Sequence, residues 1–139
     1  MSKPFYDKEF PSTVAAAADA LSEALNVLAE RGWINPSHDF CPRLCLEEAL
    51  VNAVVHGNAN EPNRRVRVKF FEEGDTCKVC VYDEGQGFDV DKIEMADCSQ
   101  LGGRGVCLIR EFMDDVRFNA KDQCLEMVFD RDTFSEACT

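Results

Sequence analysis

The stretch LEEALVNAVVHGN, Leu46–Asn58, poses the question from which the fold is read. Eight of its thirteen residues suit a core: Leu46, Ala49, Leu50, Val51, Ala53, Val54, Val55 and Gly57. At about 100° per residue, Leu46, Leu50 and Ala53 share one side of a helix. Glu48, Asn52 and His56, spaced four apart, lie along another side, and Val51 and Val55 fill the flank. So little of this helix suits water that its polar stripe is expected to lie against something polar. The alternative is a solvent-facing stripe on a surface helix. A buried carboxylate is costly unless it is paired. Glu48 and Asn52 therefore either face water or hold a ligand.

Working outward, the helix is expected to start near Asp39 to Pro42 and to stop at Gly57-Asn58. Upstream, Ser12 or Thr13 caps an earlier helix. Val14, Ala18, Leu21, Leu25 and Leu28 fall at helical spacing along it, and Gly32 ends it. PFYDKEF before it reads as a short opening strand. Downstream, RRVRVKFF alternates, with Val66, Val68 and Phe70 on one face and Arg65, Arg67 and Lys69 on the other. That is a strand with one wet face. EEGD turns the chain into CKVCVYD, where Cys77, Val79, Val81 and Asp83 share a face. Five of the eight glycines then cluster between Asp83 and Gly105. GVCLIREFMDDV follows as a helix with Val106, Ile109 and Met113 on one stripe. DVRFN and CLEMVFD form a last hairpin, with Val116, Phe118, Leu125, Met127 and Phe129 facing in. The tail from residue 130 onward is polar and is expected to fray. This order predicts an α+β two-layer sandwich in a single domain spanning 1–139: one sheet, solvated on one face and covered by helices on the other.

The totals narrow the function. The net charge of -11 argues against a general phosphate-backbone binder. No apolar run approaches the roughly 20 residues that a membrane span needs. MSKPFYDKEF has no apolar signal core, so a cytoplasmic location is expected. Eight cysteines, at positions 41, 45, 77, 80, 98, 107, 124 and 138, read mostly as small buried hydrophobes in a reducing compartment. Cys77 and Cys80 form one C-x-x-C, but on a strand residues three apart point to opposite faces. No second pair accompanies them.

Three motifs carry the chemistry. The helix holds E-x-x-x-N-A-x-x-H. The strand end holds D-x-G-x-G, Asp83 to Gly87, where glycines let a backbone approach a ligand and one carboxylate can accept from an amino group. GGRG, Gly102 to Gly105, runs into a helix start, where exposed N–H groups and the helix dipole attract phosphate. Together, in this order, they resemble the N, G1 and G2 boxes of the GHKL ATPase superfamily. Within it, the anti-sigma-factor serine/threonine kinases fit best, because the segment between Phe88 and Gly102 is short for an ATP lid and GRGVCLIREFMDDV looks like that family's G2 region. The only histidines are His38, read as a loop residue, and His56, inside the N box. A kinase that phosphorylates its own histidine is thereby disfavoured.

The resemblance implies the Bergerat-type sandwich with a mixed, mostly antiparallel sheet. It implies ATP and Mg²⁺ as cofactors. Asn52 would coordinate the metal, and Glu48 would act as catalytic base or orient the acceptor hydroxyl. Asp83 would accept from the adenine amino group, with Gly85 and Gly87 giving the backbone access to the base. Gly103, Arg104 and Gly105 would hold the β- and γ-phosphates. It implies two protein partners, a small anti-anti-sigma (STAS-type) antagonist as substrate and a sigma factor as target. No nucleic-acid or membrane contact is implied, and relatives form homodimers. A module that binds ATP without turning it over is the alternative. Glu47, beside Glu48, falls about 100° off the Asn52 stripe.

Overall fold

A computed structural model describes residues 3–85 and 108–134. Its elements run β1 (Tyr6–Pro11), α1 (Val14–Glu30), a 3-10 turn (Pro36–His38), α2 (Phe40–Val51), a π turn (Asn52–Gly57), β2 (Arg65–Glu73), β3 (Thr76–Tyr82), β4 (Asp115–Asn119) and β5 (Cys124–Asp130). Residues 108–112 are also helical. The five strands form one sheet in the order β1-β2-β3-β5-β4. Among the described residues every neighbouring pair is antiparallel, in keeping with the mostly antiparallel sheet expected. β2–β3 and β4–β5 are tight hairpins, which permit only antiparallel pairing.

The expected alternation holds. Val66, Val68, Phe70, Cys77, Val79, Val81, Leu125, Met127 and Phe129 enter the core shared with the helices. Arg65 and Arg67 stay exposed on the opposite face and pair with Glu9 and Asp7 of β1. Ile109 and Met113 are buried, as their spacing predicts.

Helix α1 is capped by Thr13, whose hydroxyl accepts from the Ala16 N–H at 3.1 Å. It ends with Gly32 at φ 78. There the Gly32 N–H donates to the Ala29 carbonyl and the Trp33 N–H to the Leu28 carbonyl. Two carbonyls that would otherwise lack partners are thus satisfied. The buried face differs from the expected stripe. Leu25 and Leu28 are buried, but so are Ala17, Ala20 and Ala24, whereas Val14 is 59 % exposed and Ala18 faces water. Alanines on the inner face let the backbone pack closely, and Val14 stands at the exposed start of the helix.

The first residues of the tail pack back on the body, and residues 135–139 lie outside the described residues. Arg131 lays its guanidinium 3.9 Å from the centre of the buried Trp33 ring. Phe134 is buried, with its ring centre 5.1 Å from that of Phe129. Cys45, Cys77, Cys80 and Cys124 are buried free thiols. Cys41, by contrast, is disulfide-bonded.

Candidate functional site

Helix α2 buries Cys45, Leu46, Ala49 and Leu50. It then widens into the π turn rather than stopping. The Asn58 N–H donates to the Ala53 carbonyl five residues back, at 2.8 Å. The widening begins only at Asn52, whose own N–H still reaches the Glu48 and Ala49 carbonyls. Glu48 and Asn52 therefore keep α-helical spacing, and both are half-buried. His56 lies beyond the extra residue that a π turn inserts, so it leaves the stripe and is exposed. Glu47 is exposed too.

Among the described residues, the Asn52 Nδ2 is buried with no hydrogen-bond partner. Leaving such a donor unmade costs about 1–3 kcal/mol. Native structures keep few such groups, and those they keep call for an explanation in ligand or strain.

Asp83 stands just past the end of β3, half-buried. Its Oδ1 accepts from the Gly85 N–H at 2.8 Å. Burial pushes its carboxyl above the ordinary range, against the pull of that N–H and of the Arg64 charge. The end of the π turn seats directly on this strand end. A Cβ at Gly57 would overlap the Asp83 carboxylate, and a Cβ at Gly85 would overlap the Gly57 carbonyl. The first and second motifs are thus one contact, made possible by two residues without side chains.

Asn58 locks that contact. It is fully buried. Its Nδ2 donates to the Ser12 Oγ and to the Arg65 carbonyl, each at 3.0 Å, and its Oδ1 accepts from the Glu84 N–H at 2.7 Å. One carboxamide therefore ties the helix end to the β1–α1 corner, to β2 and to the residue after Asp83. The sequence reading took Gly57-Asn58 as a helix stop and missed both roles. No local pattern announces them, because the partners lie 46, 7 and 26 positions away.

The Gly57 contact joins the end of the helix that carries Glu48 and Asn52 to the strand end that carries Asp83 and Gly85. Gly87, Gly103, Arg104 and Gly105 lie outside the described residues. The Asn52 carboxamide is a neutral oxygen donor of the kind Mg²⁺ accepts, and its N–H₂ can donate to a phosphate oxygen. The residues present fit a magnesium-bound nucleotide: an amide with no partner among the described residues, and a carboxylate one turn away.

Known proteins point the same way. The family of histidine kinase-like ATPase domains matches residues 10–129. The chain is 27% identical over 117 residues to the anti-sigma F factor of Anoxybacillus flavithermus, covering 78% of this chain and 71% of that protein. It is 32% identical over 85 residues to the serine-protein kinase RsbW of Bacillus subtilis, covering 54% of this chain and 53% of the kinase. With the serine-protein kinase RsbW of Oceanobacillus iheyensis it shares 29% over 87 residues, 55% of each. The chain thus spans about half the length of these two kinases.

Proposed function

The chain belongs to the histidine kinase-like ATPase domain family, and on that premise we propose that it is an ATP-dependent serine/threonine kinase that also acts as an anti-sigma factor. The observation that carries the reading is the buried Asn52 amide, without a partner among the described residues and one helical turn from the Glu48 carboxylate. The relatives, an anti-sigma F factor and a serine-protein kinase, support the same activity.

When bound, Mg²⁺ and ATP supply the transferable phosphoryl group and the charge neutralisation that its transfer requires. Asn52 would hold the metal through its Oδ1. Glu48 would take or orient the proton of a serine or threonine hydroxyl. Asp83 would accept from the adenine amino group, with the backbone at Gly85 and Gly87 approaching the base. Gly103, Arg104 and Gly105 would hold the β- and γ-phosphates. Catalysis would rest on placement more than on covalent help from the protein.

The proposed acceptor is a small anti-anti-sigma protein of the STAS type, and the proposed target of sequestration is a sigma factor. A phosphoryl group adds about -1.5 to -2 charge to the antagonist. A chain at -11 would then repel and release it. This work would be done in the cytoplasm. Among the described residues no helix is long and apolar enough to cross a membrane.

The test pairs calorimetry with a phosphate-transfer assay. Asn52→Ala should lose Mg-ATP binding. Glu48→Ala should bind the nucleotide and transfer nothing. Full transfer by the Glu48 variant would remove its role, and full binding by the Asn52 variant would remove the site. Pull-downs with ATP and with ADP, followed by phosphosite mapping, would identify the partners.

A further inference from the structure

On the sheet face turned away from the helices, three ligand-bearing side chains converge. Cys124 and Glu126 are two apart on β5 and so share a face. Cys80 on β3 is directly opposite Glu126, and Cys124 is opposite Tyr82. The neighbours Val79, Val81, Leu125 and Met127 enter the helix-side core, while Cys80 and Cys124 are buried but do not. The two sulfurs and a Glu126 carboxylate oxygen all lie within 4.8 Å of one another.

We infer that Cys80, Cys124 and Glu126 form a binding site for a thiolate-preferring divalent cation of the zinc class. Metal–sulfur bonds of about 2.3 Å in a tetrahedral site place ligand atoms roughly 3.8 Å apart. The three atoms therefore need to close by less than about 1 Å, and water takes the fourth position as in other three-ligand zinc sites.

The surroundings match. The Asn119 Nδ2 donates to Glu126 Oε2 at 2.9 Å, the kind of outer contact that orients a ligating carboxylate. Arg117 stands with its Nε 3.9 Å from Glu126 Oε1. Two thiolates and a carboxylate exceed a divalent ion by one negative charge, and this guanidinium, whose Nη2 binds Asp115 at 2.6 Å, lies beside the cluster. Binding would release two thiol protons. Thiolate ligands select against Mg²⁺, and the sheet separates this cluster from Asn52, so the ion would not compete with the nucleotide's metal.

The test uses the full chain, reduced with a phosphine and stripped with chelator. Cobalt(II) titration should give a thiolate-to-cobalt charge-transfer band saturating at one equivalent, and zinc should abolish it. Cys80→Ala and Cys124→Ala should each lose the band while circular dichroism shows a folded chain. Asn119→Ala, which leaves both thiols in place, should weaken zinc about 10–100-fold. If a cysteine variant fails to fold, Asn119→Ala and Glu126→Gln still decide the matter. No band in the reduced wild type would overturn the site, as would a band that survives loss of either thiol. A Cys80–Cys124 disulfide forming in air, with no cobalt uptake after reduction, would make the pair redox-active instead and end the proposal.

Discussion

Asn58→Ala tests the clamp between the two halves of the candidate site. The substitution strands three groups: the Ser12 Oγ, the Arg65 carbonyl and the Glu84 N–H. A buried group left unpaired costs about 1–3 kcal/mol. Ser12 is buried and would bear that cost in full, whereas the other two bonds are only part-buried and water can replace them in part. The sum is about 2–4 kcal/mol. Domains of this type hold about 5–15 kcal/mol, so the variant should still fold. Its melting temperature should drop by about 6–16 °C, at roughly 3–4 °C per kcal/mol for this length. Glu84 follows Asp83 directly, so ATP affinity should fall as well, by about tenfold, or ~1.4 kcal/mol. Asn58→Asp sharpens the test. It keeps an acceptor for Glu84 but turns a carboxylate oxygen toward the Arg65 carbonyl, so it should be at least as unstable at neutral pH. Thermal melts and nucleotide calorimetry on both variants suffice. A melting temperature within about 1 °C of wild type for Asn58→Ala would refute the clamp, since even one buried orphan shifts it further.

Asp83→Asn should weaken ATP about 10–100-fold by removing a charged acceptor, yet leave the free protein no less stable at neutral pH. The sign follows from burial, which raises the folded carboxyl above its unfolded value. Wild-type stability should therefore fall as pH rises from the unfolded carboxylate range through the raised folded one, and this slope should shrink in the variant; identical pH slopes would count against it. Gly57→Ala forces a methyl into the Asp83 carboxylate and should cost about 1–3 kcal/mol in urea unfolding, together with nucleotide binding. Arg131→Ala removes the guanidinium over Trp33 and the 2.9 Å bond to Glu72, at about 1–2 kcal/mol. Trp33 is the chain's single tryptophan, so its emission should shift to the red, and an unchanged spectrum would contradict the stacking.

What could be read in the sequence was whatever rests on contrast between neighbours. RRVRVKFF alternates basic and apolar residues, and a period of two with one wet face permits only one placement. The α1 segment VAAAADALSEAL has small apolar residues on every side, so its buried face was set by which side the sheet could approach most closely. That is a tertiary choice, and the stripe through Val14 and Ala18 was wrong because of it. Glu48, Asn52 and Asp83 were legible because polar groups stood among apolar ones. Gly57 and Asn58 were not, because a glycine and an asparagine after a helix serve equally as a stop. Their other work depends on Ser12, Arg65, Asp83 and Glu84, which only folding brings near. The π turn left no trace in periodicity, since a single added residue is shorter than any repeat.

That added residue explains how the Asn52 amide is held without a partner among the described residues. An amide on a loose segment would rotate toward water. Here the helix is fixed upstream by buried Cys45, Leu46 and Ala49 and downstream by Gly57 against Asp83 and by Asn58. The widened turn lets Gly57 reach Asp83 without moving Asn52 out of step with Glu48. Among the described residues the amide has no partner, and a ligand that supplies an acceptor there would recover about 1–3 kcal/mol of affinity. Asn52→Leu follows as a prediction of opposite signs. Leucine is close in size and has no donor to strand, so the free chain should gain up to about 1–3 kcal/mol, less any packing strain. Mg-ATP binding should vanish in the same protein. Urea unfolding without nucleotide measures the first and calorimetry the second. A free variant less stable than wild type by more than about 1 kcal/mol would mean that the amide has a partner in solution, and the reason for placing a nucleotide beside it would be gone.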